Sequence, residues 1–234
     1  RPEDRAPGAG GEHERARDGR DHRRQPTDRL QHRHDAGQHV TSRDVDKDGA
    51  GDGCRHAAAD ALRDRSFPLV VDPVSVSQSG SRLLQEDAVA ALIEEMIPGC
   101  DLLTPNRPEA EMLTGMSIAS LDDAAEAGEK LLAMGARAVL IKGGHMESSI
   151  MVTDCLCVPG EAPKHLPQAK VETANNHGTG CTLSAAIATG LGRGLPLQVA
   201  VSRAQEYLNL ALRKSYAPGK GCGPVNHAAG LNIS

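Results

Sequence analysis

"PLVVDPV" (Pro68–Val74) is a run of apolar, mostly β-branched residues closed by an Asp-Pro pair. A strand with one wet face alternates apolar and polar residues. A run that is apolar on both alternations needs cover on both faces, which is the situation of a strand inside a parallel sheet. The flanking sequence agrees. "EDAVAALIEEMI" (Glu86–Ile97) carries apolar residues at helical spacing, and "DLLTPN" (Asp101–Asn106) is a second short strand ending in a turn. "SLDDAAEAGEKLLAMGA" (Ser120–Ala136) opens with a capping box, Ser120 with Asp123 three residues on, and ends at Gly135. "AVLIKGG" (Ala138–Gly144) is a third strand, and "SSIMVTDCLCV" (Ser148–Val158) predicts a strand or hairpin before Pro159-Gly160. A small-residue helix follows within "NNHGTGCTLSAAIATGLGRG" (Asn175–Gly194), and "LQVAVSRAQEYLNLALRKS" (Leu197–Ser215) is the last helix. Strands alternating with helices predict an α/β fold, a mostly parallel sheet with helices on both faces. There is no internal repeat.

The chain has 234 residues, enough for one α/β domain or one domain with a small lid. Its net charge of −5 points away from nucleic acid and anionic membrane as main partners. No apolar run reaches the roughly 18 residues of a membrane span and no signal peptide is visible, so a cytoplasmic location is expected. Cys54, Cys100, Cys155, Cys157, Cys181 and Cys222 form no C-x-x-C pair and read as free thiols. Cys155 and Cys157 share one face of a strand and are expected to be small buried residues rather than a metal site. From Arg1 to Asp60 the only large apolar residues are Leu30, Val40 and Val45. Such a segment cannot offset the entropy of ordering it. Residues 1–57 are therefore expected to be a disordered or non-native leader, and residues 58–234 the folded domain.

Open α/β sheets hold ligands at the carboxyl ends of their strands. Polar signals collect there: Asp72 after the first strand, Asn106 and Glu109 after the second, and Lys142 with Gly143-Gly144 after the third. The Gly178-Thr179-Gly180 turn opens a helix with Cys181 in its first turn. A carboxylate can hold hydrated magnesium, and an amide and a second carboxylate can orient its waters. A lysine can neutralise phosphate oxygens, and a helix N-terminus offers N–H groups to an anion. Together these describe a phosphoryl-transfer site. Singly each has an ordinary reading: a strand-end turn, a solvated Asn/Glu pair, a glycine turn. Order and spacing carry the argument. No G-x-x-x-x-G-K-[ST] occurs, so the site is not a P-loop. On chemistry alone Cys181 is either a base or a small buried residue.

From about Ala58 to His227 the chain resembles the hydroxymethylpyrimidine/phosphomethylpyrimidine kinases of thiamine biosynthesis, in the ribokinase-like superfamily. The resemblance is carried, in order, by "VVDPVSVSQSGSRLL", "LLTPNRPEAEMLTG", "VLIKGGH", "NNHGTGCTLSAAIATGL" and "GKGCGPVNH". It implies a ribokinase-like three-layer fold, ATP and Mg²⁺, and phosphorylation of 4-amino-5-hydroxymethyl-2-methylpyrimidine and of its monophosphate. It places Asn106 and Glu109 at the magnesium and Gly178, Thr179 and Gly180, with Cys181 next, in an anion hole. By their chemistry Asn106 and Glu109 are expected to act on the ion through water, and Asp72 and Lys142 are the candidate nucleotide- or phosphate-binding residues. Cys181 stands where many superfamily relatives carry an aspartate base; a cysteine there is typical of the pyrimidine kinases and argues against a sugar kinase. A helix N-terminus lowers a thiol pKa from about 8.5, so a thiolate at Cys181 is expected to take the substrate's hydroxyl proton. His177 reads as a packing or hydrogen-bonding residue. A homodimer is compatible with the resemblance. The alternatives are a pyridoxal kinase-like enzyme, which usually has aspartate at the Cys181 position, and an inactive, truncated nucleotide-binding remnant.

The chain also departs from the family. Its glycine-rich substrate segment, an aspartate and a Lys-Thr-Gly-Met segment have no counterpart before residue 60; "DKDGAGDGC" (Asp46–Cys54) stands near the last of these. Ser75 replaces a commonly apolar residue. The expectation is a frameshifted leader on a truncated kinase that lacks the N-terminal strands, exposes a sheet edge, binds ATP weakly and the pyrimidine poorly, and turns over slowly if at all.

Overall fold

Strands β2 (Val70–Asp72), β3 (Leu102–Leu103) and β4 (Val139–Ile141) run parallel and side by side, and β5 (Met151–Cys157) and β6 (Lys164–Ala169) complete the sheet antiparallel. The computed structural model describes residues 39–41 (as backbone), 59–62, 64–75, 84, 86–143 and 150–230, all within the unit Asp35–Ser234. Within the segment read as a leader, the backbone of β1 (His39–Thr41) pairs parallel with β2, His39 opposite Val70 and Thr41 opposite Asp72. Composition carried no sign of this strand, because a parallel ladder is made by backbone groups that every residue has. The remainder of residues 1–57 lies outside the described residues.

The period of two along each strand sends alternate side chains to opposite faces, and the protein has one core on each. Val71, Leu103, Val139, Ile141, Cys155 and Cys157 face α1 (Glu86–Ala91), α2 (Arg107–Thr114) and α3 (Leu121–Ala133), meeting Ala88, Ala110, Leu113, Ala127 and Leu131. Val70, Leu102, Leu140 and Leu156 face α4 (Thr179–Gly192) and α5 (Leu197–Arg213), meeting Leu183, Ile187, Ala188, Ala200 and Val201. Each fully buried branched side chain contributes about 1.5–3 kcal/mol. Two such faces explain why the run at Pro68–Val74 is apolar without alternation.

Local sequence accounts for most element ends. Ser120 and Asp123 form the capping box of α3, Asp123 N–H to Ser120 Oγ at 3.1 Å and Ser120 N–H to Asp123 Oδ2 at 2.8 Å. Gly135 follows with φ +106°, a left-handed conformation that stops the chain from continuing as helix. Helix α1 passes into a π-turn, Leu92–Met96, in which Ile97 N–H reaches the Leu92 carbonyl. Of the strand or hairpin expected over Ser148–Val158, the structure has one strand, β5, and its partner β6 lies beyond Pro159-Gly160, where no strand was expected. The β6 sequence KHLPQA alternates between half-buried and exposed, and its Pro167 is tolerated because an edge strand has a side that needs no N–H. The five described cysteines are free thiols; Cys100, Cys155 and Cys157 are buried, and burial pushes the Cys100 thiol up to about 12. Among the described residues no helix is long and apolar enough to cross a membrane.

Gly128 in α3 lies against β5 so closely that a Cβ there would overlap Cys157 Sγ. Glycine to alanine inside a helix ordinarily stabilises by about 1 kcal/mol. Gly128→Ala is expected instead to cost about 1–3 kcal/mol through overpacking, read as a lower urea midpoint at unchanged m-value. Cys157→Ala in the same chain should recover part of the loss. At the opposite strand ends, Asp101 accepts the Leu69 N–H at 2.8 Å and pairs with Arg65 at 3.0 Å and Arg137 at 2.9 Å. Burial raises its pKa, but these partners outweigh that and hold the carboxyl below its ordinary 3.8. A depressed folded-state pKa contributes stability above the unfolded value that is lost as pH falls through the folded one. Asp101→Asn should therefore lower Tm at pH 7 and shrink that difference progressively below pH 4.

Candidate functional site

The carboxyl ends of β2, β3 and β4 meet the first turn of α4. Helix α2 begins there at Asn106, and Asn-x-x-Glu is its capping box. Asn106 Oδ1 accepts the Glu109 N–H at 2.9 Å, and Glu109 Oε2 accepts the Asn106 N–H at 2.8 Å. Glu109 Oε1 takes a third N–H, from Ser75, at 3.2 Å. The turn that delivers Ser75 passes through Val74 at φ +35°, a strained conformation for a β-branched residue. Glu109 is 2% exposed. Its burial raises the carboxyl pKa; the Lys142 charge and the Asn106 and Ser75 N–H groups oppose this, while the Asp72 charge adds to it. The ordinary alternative, a solvated loop pair, does not describe Glu109, which is buried with its oxygens satisfying backbone donors.

Lys142 is the residue after β4. Its N–H bonds the Pro105 carbonyl at 2.8 Å, and its Nζ reaches Asp72 Oδ1 at 2.8 Å. The two side chains are 13% and 1% exposed. Burial disfavours the ammonium, yet the Asp72 and Glu109 charges prevail and raise the Lys142 pKa. Asp72 Oδ2 accepts the Ser184 hydroxyl at 3.0 Å, and Ser184 Oγ lies 2.9 Å from Thr104 Oγ1. Helix α4 starts at Gly178, φ +85°, with no side-chain cap. A Cβ on Gly180 would stand 3.3 Å from Lys142 Nζ and 4.0 Å from Asp72 Oδ2, so the first turn of α4 rests against the ion pair. Cys181 follows in that turn and is exposed, which sets aside the alternative of a small buried residue.

The structure thus brings together Asp72, Glu109, Lys142 and the Gly178–Cys181 turn. His177 contributes backbone: its N–H bonds the Gly223 carbonyl, and its carbonyl accepts the Val225 N–H, strapping the tail to the segment before α4. Gly144 lies outside the described residues. The sequence reading passed over Thr104 and Ser184. Their signal is faint: hydroxyls in "LLTPN" and "CTLSAA", among residues otherwise small or apolar, at positions that prove fully buried.

The family profile described as phosphomethylpyrimidine kinase matches residues 50–226. The chain belongs to this family. It is 49% identical over 175 residues to the hydroxymethylpyrimidine/phosphomethylpyrimidine kinase of Rhizobium meliloti (strain 1021), covering 73% of this chain and 65% of that protein. It is 40% identical over 161 residues to the kinase of the same name from Bacillus subtilis (strain 168), covering 69% and 59%. The chain therefore spans just under two thirds of the length of these curated relatives. Among solved structures it resembles the pyridoxal kinase of Staphylococcus aureus in complex with ADP, with TM-score 0.70, 28% identity and coverage of 77% of this chain and 65% of that one. It also resembles the phosphomethylpyrimidine kinase of Clostridium difficile 630, with TM-score 0.57, 34% identity and coverage of 67% and 62%. The ribokinase-like three-layer fold expected from the sequence is the fold of the described region.

Removing one partner of a buried ion pair strands the other charge. Lys142→Met is expected to destabilise the protein by about 3–5 kcal/mol in urea titration, and Asp72→Asn added to it should recover most of that loss.

Proposed function

We propose that this chain carries the phosphoryl-transfer site of a hydroxymethylpyrimidine/phosphomethylpyrimidine kinase. The carrying observation is the contact between Lys142 and the uncapped start of α4, where a Cβ on Gly180 would lie 3.3 Å from Lys142 Nζ. An ammonium and a helix N-terminus directed at one place suit an anion that gains charge on its oxygens during transfer. Structural relatives, S. aureus pyridoxal kinases in complex with ADP and with AMP-PCP, support ATP as the donor.

In this reading Lys142 and the N–H groups of Gly178, Thr179 and Gly180 bind the transferred phosphoryl group. Cys181, exposed beside them, takes the proton of the pyrimidine's hydroxymethyl group as its oxygen bonds to phosphorus and ADP leaves. The residues fit magnesium. Asp72 and Glu109 supply hard carboxylate oxygens, and each Glu109 oxygen spends one lone pair on a backbone N–H and keeps another. Glu109 and Asn106 would hold the ion through its waters, where it would neutralise phosphate charge. Asp72 orients Lys142, and Ser184 orients Asp72. The pyrimidine reading is preferred to pyridoxal because the named pyrimidine kinases reach 49% identity while the named pyridoxal kinases stand at 27–31%.

The test compares phosphate acceptors for the purified chain with ATP and Mg²⁺, following products by ³¹P NMR. A rate ratio of at least about tenfold in favour of hydroxymethylpyrimidine over pyridoxal is expected. A ratio favouring pyridoxal, or no nucleotide binding, overturns the proposal. Cys181→Ala should lower kcat by about 10²–10⁴-fold at unchanged ATP affinity.

A further inference from the structure

Strand β5 carries one acid in an apolar run, Asp154 in "MVTDCLC", and its side chain is 6% exposed. A carboxylate is seldom buried so fully unless its oxygens are satisfied. Here both are. Oδ1 accepts the Gly143 N–H at 2.8 Å, and Oδ2 accepts Gln205 Nε2 at 2.8 Å. Gln205 is itself 4% exposed, a polar side chain on the buried face of α5 beside Val201 and Ala204. Neither residue takes part in the phosphate-binding chemistry described above.

The partner of Oδ1 gives the pair its meaning. Gly143 follows Lys142, and the β4–β5 register, Ile141 opposite Cys155, carries Lys142 opposite Asp154 and Gly143 opposite Thr153. Gly143 seats so closely on β5 that a Cβ there would run into the Thr153 carbonyl. The backbone on either side of the Lys142 carbonyl is therefore pinned twice, by the Lys142 N–H on Pro105 and by the Gly143 N–H on Asp154. The first bond ties the corner to the segment after β3 and the second ties it to β5. A flexible lysine side chain delivers its ammonium to one place only if its backbone is fixed.

We infer that Asp154 is a positioning residue for Lys142, holding the Lys142–Gly143 corner through the Gly143 N–H while Gln205 holds the carboxylate in place. Burial raises the Asp154 pKa; the N–H groups of Gly143 and Gln205 and the Lys142 charge oppose this and favour the carboxylate. The role rests on the proposed function, because it concerns the placement of the cation that meets the nucleotide phosphates.

The experiment measures binding of ATP with Mg²⁺ by calorimetry in the full chain, alongside hydrogen exchange of the Gly143 amide by NMR. Asp154→Ala should weaken ATP on the order of tenfold and accelerate Gly143 exchange by a similar factor. Asp154→Asn keeps an oxygen for Gly143 and can donate to Gln205 once that amide turns over, so it should recover most of the affinity. A residue that only holds α5 to the sheet would change Tm and leave the affinity of the folded protein alone. Wild-type protein that does not bind ATP overturns the proposed function. Wild-type protein that binds ATP, with Asp154→Ala binding equally well, overturns the positioning role alone. If Asp154→Ala does not fold, Gln205→Leu carries the test: a weakening of about threefold or more with faster Gly143 exchange supports the role, and unchanged values overturn it.

Discussion

The buried pair between Lys142 and Asp72 joins the ends of β4 and β2 and gives the first turn of α4 something to stand on. An ion pair so little exposed is held in place by its surroundings, since neither charge can retreat into water. Asp72 is fixed on its second oxygen by Ser184, which reaches down from α4. Lys142 is fixed at its backbone by Pro105 and, one residue later, by Asp154. Each charge is thus locked by a neighbour on a different element, and the sheet, α4 and α5 share one polar network. Its hydrogen bonds are mutually dependent, because a vacated partner would leave a buried charge or N–H unsatisfied.

Glu109 joins two loops through one side chain. As the third residue of α2 it closes a capping box, which alone would account for a glutamate at that position. Its other oxygen collects the Ser75 N–H from a strained turn after β2, so the same carboxylate stitches two strand-end loops together. That double anchorage fixes the carboxyl group beside Lys142 and Asp72.

The small-residue character of α4 follows from the same geometry. A Cβ on Gly180 would press on Lys142 Nζ at 3.3 Å, so glycine gives the ion pair its room, and Ser184, one turn later, is short enough to reach Asp72 from inside the helix. Further along, Leu183, Ile187 and Ala188 carry the packing on the sheet. The helix is polar and small where it meets the site and apolar where it meets the core.

Features set by neighbours in the chain were legible in the sequence. The apolar strands, the Ser120–Asp123 capping box, the helix stops and the order of Asp72, Asn106, Glu109, Lys142 and the Gly178–Cys181 turn depend on local spacing and on the rule that open sheets collect ligands at strand ends. The family motifs added their names. What the sequence could not show are bonds between residues far apart along it. Ser184 finds Asp72 across 112 positions, Ser75 finds Glu109 across 34, and Gln205 finds Asp154 across 51. Short polar residues such as Ser184 and Thr104 look alike in a sequence whether they face water or a buried carboxylate. Only the packing of α4 and α5 onto one face of the sheet removes the water and makes those hydroxyls and amides obligatory partners. The exposure of Cys181 and the burial of Glu109 were decided at the same stage, because solvent access is a property of the assembled layers.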